Sequence, residues 1–160
     1  LLQPDAVSAL IAHLLPLALV ITPNLPEAGV LLDRRPPTDL DGMRVAAADL
    51  RALGPNAVLL KGGHLTDGDA VDIFDDGASQ RDLRGRRFAT GNTHGTGCTL
   101  SAALATLLGQ GISLEDAASM AKDYVGSAIA NADRLHVGKG HGPVHHFHAL
   151  WQSVDGGHDR

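Results

Sequence analysis

Short unbroken apolar runs alternate along this chain with longer stretches in which apolar residues recur at helical spacing. The runs at residues 17–21 and 57–61 are bounded by proline, asparagine or glycine, which is typical of strands buried in a parallel sheet. Helical patterns or helix-start signals occur at residues 4–14, 26–32, 41–53, 102–108 and 114–132. This alternation predicts one α/β domain over residues 1–160, built on a mainly parallel sheet.

A more charged pair of segments lies in the middle of the chain. Ala70–Phe74 and Asp82–Phe88 predict two strands, and Asp75-Asp76-Gly77 predicts the turn between them. Their charge favours a hairpin at the edge of the sheet. Asp41 and Ser113 are the predicted N-caps of the helices that follow them, and an acidic residue three positions after Ser113 gives the spacing of a capping box.

The stretch Thr93–Ser101 combines two glycines with small hydroxyl residues and leads directly into the apolar run Ala102–Leu108. This pattern predicts a loop that opens into a buried helix. Backbone N–H groups at a helix start have no partner within the helix, and the helix dipole adds partial positive charge there. Because glycine lets an anion approach the backbone closely, phosphate is the expected guest.

Two interpretations of this loop stay open from the residues alone. A Gly-x-Gly turn before a helix often reflects tight packing only, and neither the Walker sequence nor Gly-x-Gly-x-x-Gly is present. In the functional interpretation, the N–H groups of Gly95–Cys98 stabilise the charge on a transferring phosphoryl group. Cys98 could then take a proton from an attacking alcohol, pair with His94 as a thiol nucleophile, or be an inert packed residue.

Polar residues follow the ends of the two buried runs. Thr22, Asn24 and Glu27 come directly after the first run, and Lys61 closes the second. The carboxyl ends of parallel strands meet at one sheet edge, where ligands bind in α/β proteins. Asn24 and Glu27 could organise Mg²⁺ and its waters near a polyphosphate, or form a turn whose glutamate complements the helix dipole. Lys61 could neutralise phosphate or lie on an ordinary surface, and Thr22 and Asn92 are weaker candidates for the same site.

Composition narrows the function classes. Apolar residues make up 44% of the chain and charged residues 19%, which is typical of a globular protein. The net charge of −5 disfavours a nucleic-acid interface, and we expect the basic run from Arg81 to Arg87 to be a solvated face. The single cysteine excludes an internal disulfide and favours the cytoplasm. No stretch reaches the ~18 unbroken apolar residues of a membrane span, and we see no signal peptide.

Histidines are concentrated near the end of the chain. Their spacing matches no tetrahedral zinc site, and no second cysteine is available. We therefore expect a tail packed near the site rather than a metal centre. The histidines concerned are His136, His141, His145, His146, His148 and His158.

Five motifs occur in a fixed order along the chain. They are Leu15-Pro16-Leu17-Ala18, Ile21-Thr22-Pro23-Asn24-Leu25-Pro26-Glu27-Ala28, Leu60-Lys61-Gly62-Gly63-His64, Thr93-His94-Gly95-Thr96-Gly97-Cys98-Thr99 and Gly138-Lys139-Gly140-His141-Gly142-Pro143. As a set they closely resemble the hydroxymethylpyrimidine/phosphomethylpyrimidine kinases of thiamine biosynthesis, in the ribokinase-like superfamily. The resemblance covers nearly the whole chain.

The resemblance implies a three-layer α/β/α fold and an activity. The family uses ATP and Mg²⁺ to phosphorylate 4-amino-5-hydroxymethyl-2-methylpyrimidine and then its monophosphate. The resemblance also implies a homodimer. It implies that the anion hole is formed by Gly95, Thr96, Gly97 and Cys98, with Cys98 as the base where most ribokinase-like kinases have aspartate.

The remaining motifs imply the nucleotide and metal side of the site. The family's Asn-x-x-Glu motif falls on Asn24 and Glu27, so Glu27 would hold Mg²⁺ through water. Lys61 matches the lysine on the phosphate side, and Lys139 belongs to a glycine-rich segment that would flank the nucleotide.

One departure from the family lies at the front of the chain. Family members begin with further strands and a glycine-rich segment that bind the pyrimidine, and the chain lacks these motifs. We therefore expect it to correspond to the C-terminal, nucleotide-side part of such a kinase. Two alternatives stay open: a pyridoxal or pyridoxine kinase of the same cysteine-containing type, and a non-catalytic nucleotide-binding module.

Overall fold

A four-stranded sheet in the order β1-β2-β3-β4 forms the centre of the molecule. The computed structural model describes residues 3–63 and 68–151. The strands are β1 (Val20–Ile21), β2 (Ala57–Lys61), β3 (Ala70–Asp75) and β4 (Gln80–Gly85). β1 pairs with β2 in parallel, whereas β2–β3 and β3–β4 are antiparallel pairs.

The described sheet is therefore mixed, not mainly parallel as the sequence pattern predicts. A parallel return needs a crossover connection of roughly a dozen residues or more, usually containing a helix. The connection at residues 62–69 is too short for that, so β3 reverses direction beside β2. The predicted hairpin is confirmed, although its second strand is Gln80–Gly85 and ends before Phe88.

The helices surround this sheet. The α-helices of the described residues are α1 (Pro4–Ala9), α2 (Leu25–Leu31), α3 (Leu40–Ala52), α4 (Thr96–Gly109) and α5 (Leu114–Ala130). α1 continues into a π-helical turn (Leu10–Leu14) and a 3₁₀ turn (Leu15–Leu17), and another 3₁₀ turn covers Ala132–Arg134. Because residue 17 lies in a 3₁₀ turn, β1 is shorter than its apolar run predicts. Within the described ranges, no helix is long and apolar enough to cross a membrane.

Helix capping agrees with the sequence at α5 and differs at α3. The hydroxyl oxygen of Ser113 accepts a hydrogen bond from the backbone N–H of Asp116, as an N-cap should. The N-cap of α3 is Asp39, not Asp41, because Asp39 Oδ1 accepts the N–H of Gly42 at 2.7 Å. Both aspartates have capping chemistry, but only the residue at position 39 has the extended backbone that an N-cap requires, whereas position 41 is already helical.

Each face of the sheet carries one layer of helices. Alternate residues of β2 point to opposite faces. Val58 and Leu60 pack with buried residues of α2 and α3, whereas Ala57 and Leu59 pack with buried residues of α4 and α5. The α/β/α layering implied by the resemblance follows from this alternation.

A buried ion pair connects the sheet with α5. Lys122 Nζ lies 2.7 Å from Asp72 Oδ2, and both side chains are almost fully buried. Asp72 Oδ1 also accepts the backbone N–H of Gly62 at 2.9 Å, just beyond the end of β2. The carboxylate therefore fixes the end of β2 relative to α5.

Gly62 has no room for a side chain. A Cβ there would overlap the carbonyl oxygen of Val71 and lie 2.8 Å from Cε of Met43. At the neighbouring Gly63, a Cβ would meet nothing within 4 Å. This pair allows a matched test of the packing at the end of β2.

We expect Gly62→Ala to lower the free energy of unfolding by about 2 kcal/mol or more, because backbone and core must shift. Gly63→Ala should change it by less than about 0.5 kcal/mol. Urea denaturation of the full chain measures both values. Equal effects of the two substitutions would contradict the packing described.

Candidate functional site

The ends of β1 and β2 meet at one edge of the sheet. Their parallel pairing continues past β1, where the backbone N–H of Lys61 donates to the carbonyl of Pro23 at 2.9 Å. An isolated parallel bridge then pairs Asn24 with Lys61. The predicted meeting of these two residues at the sheet edge is confirmed.

Asn24 and Glu27 form a reciprocal capping box at the start of α2. The Asn24 Oδ1 atom accepts the N–H of Glu27 at 2.8 Å, and Glu27 Oε2 accepts the N–H of Asn24 at 2.7 Å. The helix-start alternative from the sequence therefore describes what this pair does in the fold. The same bonds hold an exposed carboxylate beside the end of β2.

α4 begins with a left-handed glycine and starts earlier than the apolar run Ala102–Leu108. Gly95 is the N-cap, with φ of 83°, which favours glycine at this position. Its carbonyl accepts both the N–H of Thr99 at 2.9 Å and the Thr99 hydroxyl at 2.8 Å. The Thr96 hydroxyl donates to the carbonyl of Thr93 at 2.6 Å. These bonds lock the turn from both ends.

Three N–H groups in the turn Gly95–Cys98 are open, meaning that they have no hydrogen-bond acceptor among the described residues. The N–H of Thr96 bonds to the Thr93 carbonyl, and that of Thr99 bonds to Gly95. Across residues 3–63 and 68–151, the N–H groups of Gly95, Gly97 and Cys98 have no acceptor. Unpaired N–H groups at the first turn of a long helix form an anion-binding arrangement.

Lys61 lies against this turn. Its Nζ is 3.3 Å from the position that a Cβ on Gly97 would occupy. Asn24, Lys61, Thr96 and Gly97 line one open cleft of about 430 Å³. The ammonium group and the open turn thus share a surface, as predicted from the sequence.

The cleft continues between β4 and α5. Gly85, Arg86 and Phe88 line its extension on one side, and Lys122 and Gly126 line it on the other. Sequence reasoning missed this part, because it treated the basic run as a solvated face. The available signal was Phe88, one of only three phenylalanines, at the end of a charged predicted strand.

Cys98 lies on the other side of the helix start. Its thiol is exposed and contributes to a groove of about 700 Å³ between α4 and α5, together with Met120, Tyr124 and His146. The imidazole in this groove therefore belongs to His146. His94 instead pairs through its backbone with the segment at residues 142–144.

Thr22 is tied to α4. Ser101 donates its hydroxyl hydrogen to the carbonyl of Gly97 at 3.1 Å, so the 2.9 Å contact between Thr22 and Ser101 has Thr22 as donor. This bond joins the end of β1 to the second turn of α4. It fixes the residues after β1 relative to the turn at the start of α4.

Asn92 anchors the second glycine-rich loop. Its Oδ1 accepts the N–H of Gly142 at 2.9 Å, and its Nδ2 donates to Asp133 at 2.8 Å. Both ends of this amide are thus bonded within the chain. Lys139, the other predicted nucleotide contact in this region, is exposed and does not line the clefts described above.

The histidine-rich tail packs against α4 and α5. His145 is buried, its N–H donates to the Ala128 carbonyl, and its Nδ1 has no hydrogen-bond partner among the residues that the structure describes. Burial lowers the pKa of His145 below its ordinary value of 6.5, and the positive charge of Arg134 lowers this pKa further. His148 packs on the ring of Tyr124.

The other histidines are spread along the same end of the chain. His136 and His141 are exposed, and His64 and His158 lie outside the described residues. In the part of the chain that the structure describes, no three histidine, cysteine or acidic side chains form a group suited to a metal ion.

Comparisons with known proteins point to one family. The family model described as phosphomethylpyrimidine kinase matches residues 1–145. A hydroxymethylpyrimidine/phosphomethylpyrimidine kinase of Rhizobium meliloti is 52% identical over 95% of this chain and 57% of its own length. The thiamine biosynthesis bifunctional protein ThiED of Geobacter sulfurreducens is 48% identical over 92% of this chain and 29% of its own.

A solved structure matches the fold closely. The pyridoxal kinase from Staphylococcus aureus in complex with AMP-PCP and pyridoxal superposes with a TM-score of 0.87 and 35% identity, over 93% of this chain and 55% of that one. The predicted ribokinase-like α/β/α fold is thereby confirmed. The chain spans little more than half the length of the curated kinase that it matches at 52% identity.

Proposed function

The chain belongs to the phosphomethylpyrimidine kinase family, and we propose that its protein transfers phosphate from ATP to 4-amino-5-hydroxymethyl-2-methylpyrimidine and then to the monophosphate, in thiamine biosynthesis. The observation that carries this proposal is the start of α4. Open backbone N–H groups occur there, and Lys61 Nζ lies against the same turn at Gly97. Donors and positive charge placed together stabilise the charge that develops during phosphoryl transfer.

The nucleotide would lie along the cleft between the sheet edge and α5. Its phosphates would contact Lys61 and the turn Gly95–Cys98, near Asn24 and Thr22. We propose that the base end extends toward Phe88 and Gly126, because Arg86 and Phe88 line both this cleft and the neighbouring cavity on α5. Contacts from Asn92 would be indirect, through the loop that it anchors and that carries Lys139.

Cys98 would act on the acceptor side. In the proposed step, the hydroxymethyl oxygen forms a bond to the γ-phosphorus while the bond from that phosphorus to the bridging oxygen of ADP breaks. The sulfur of Cys98, as thiolate, accepts the proton of the hydroxyl. The open N–H groups of Gly97 and Cys98 hold the transferring phosphoryl group.

The chemistry of the residues present fits Mg²⁺ bound mainly by water and phosphate. Mg²⁺ is commonly held by one or two carboxylates together with waters and substrate phosphates. The exposed Glu27 carboxylate is fixed by its cap to the N–H of Asn24, which lines the cleft, and suits that role. Such an ion supplies charge neutralisation on the phosphate oxygens, and its partner in this chain would be Glu27 through water.

Two further properties belong to the proposal. A cytoplasmic location is supported by the single cysteine, which is exposed in the described structure. A homodimer rests on the family resemblance alone.

Pyridoxal is the second candidate acceptor, because the solved pyridoxal kinase shares this fold closely. We expect the full-length protein with ATP and Mg²⁺ to turn over the hydroxymethylpyrimidine faster than pyridoxal in side-by-side assays. Faster turnover of pyridoxal would reverse the assignment. Nucleotide binding without turnover of either compound would instead indicate a non-catalytic nucleotide-binding module.

Removal of the Cys98 thiol should lower the rate of phosphoryl transfer and leave the affinity for the nucleotide nearly unchanged. We expect Cys98→Ala to lower kcat by about 10²-fold or more, the usual scale for loss of a general base. Affinity for AMP-PCP, measured by calorimetry, should stay within about twofold, since Lys61 and the backbone donors remain. Thr106→Ala, in the same groove, is the matched control, and near-normal kcat in Cys98→Ala would remove the thiol from the mechanism.

Glu27→Gln separates capping from metal binding. Glutamine can still accept the N–H of Asn24, so thermal stability should be unchanged. Loss of the charge should raise the Mg²⁺ concentration that gives half-maximal activity by about tenfold. Glu115→Gln, in the first turn of α5, serves as the control. An unchanged Mg²⁺ titration would leave Glu27 with its helix cap as its only role.

A further inference from the structure

The segment after the second glycine-rich loop contacts the anion-binding turn on two sides. On the N-terminal side, the N–H of His94 donates to the Gly142 carbonyl, and the N–H of Val144 donates to the His94 carbonyl. On the helical side, His146 Nε2 lies 3.0 Å from the Thr99 hydroxyl oxygen. Residues 142–146 therefore contact the turn both before it, at His94, and after it, at Thr99.

The donors and acceptors in the second contact can be assigned. Thr99 Oγ1 lies 2.8 Å from the Gly95 carbonyl oxygen, which can only accept, so the hydroxyl hydrogen points to Gly95. The same hydroxyl oxygen must then accept from His146. The Nε2 atom of His146 therefore carries a hydrogen, in either the neutral Nε2–H tautomer or the imidazolium form.

Further contacts fix both ends of this series of hydrogen bonds. Tyr124 of α5 donates its hydroxyl to the backbone carbonyl of His146 at 2.9 Å. Thr99 is buried, with 7% of its surface exposed, so its rotamer is set by packing as well as by its two bonds. This series of hydrogen bonds runs from α5 through His146 and Thr99 to the carbonyl of Gly95. Gly95 is the left-handed residue that sets the direction of the open N–H groups.

We propose that His146 is a positioning residue of the anion-binding turn, acting through the Thr99 hydroxyl on the carbonyl of Gly95. The effect on rate rests on the proposed phosphoryl transfer, whereas the effect on the turn does not. Donors in an anion hole are most effective when they are already fixed where charge develops. A looser turn should therefore lower kcat and leave the KM for ATP nearly unchanged.

The experiment uses the full-length protein and five variants of it. His146→Ala and Thr99→Val each interrupt the proposed series of hydrogen bonds, and a double variant interrupts it at both points. His146→Gln restores an N–H donor at a similar distance from the backbone. His148→Ala is the matched control, because His148 lies in the same tail and packs on Tyr124 but has no contact with Thr99 among the contacts of the described chain.

The readouts are kcat, the KM for ATP, and hydrogen–deuterium exchange of the peptide covering residues 93–101. We expect His146→Ala and Thr99→Val each to lower kcat by about tenfold and to speed exchange in this peptide. The double variant should lower kcat no more than either single variant does, since both substitutions interrupt the same series of hydrogen bonds. His146→Gln should recover most of kcat, and His148→Ala should change neither kcat nor exchange.

Three outcomes would overturn the proposal: additive losses in the double variant, an equal loss in His148→Ala, or unchanged exchange in His146→Ala. If the wild-type chain phosphorylates neither acceptor, the proposed function fails. The exchange data would still decide whether His146 positions the turn.

Discussion

The parallel pairing of β1 with β2 is the constraint on which the rest of the site depends. It continues beyond β1 as the hydrogen bond from Lys61 N–H to the Pro23 carbonyl, and it places Asn24 beside Lys61. The helix cap formed by Asn24 and Glu27 therefore begins at the same sheet edge as the lysine. A shift of one residue in this register would turn the side chains of β1 to the other face and would end the pairing of Asn24 with Lys61.

The start of α4 divides the site into two sides. On the sheet side, Lys61 lies against Gly97 in a cleft that continues toward α5. On the outer side, Cys98 opens into the groove that also holds His146. In the proposed mechanism, this helix start serves a phosphate chain on one side and an acceptor alcohol on the other, with backbone N–H groups between the two. This division is what an in-line transfer between two bound molecules requires.

Several polar residues near the site have structural partners. Glu27 closes a helix cap, Asn92 ties two loops together, and Thr22 joins β1 to α4. Each of these hydrogen bonds fixes the position of the loop or helix start that it joins. Residues that resemble ligand contacts in the sequence thus also form the framework that holds the open N–H groups.

The sequence by itself determined the features that depend on near neighbours. β2, the Ser113 cap, the β3–β4 hairpin and the glycine-rich turn before α4 follow from periodicity, capping chemistry and glycine, which act over a few residues. The ordered motifs also identified the family. Tertiary structure alone decided the mixed sheet, the cleft wall at Phe88, the bonds of Asn92 and the contact of His146 with Thr99. These depend on pairs distant along the chain, whose meeting is set by packing rather than by local pattern.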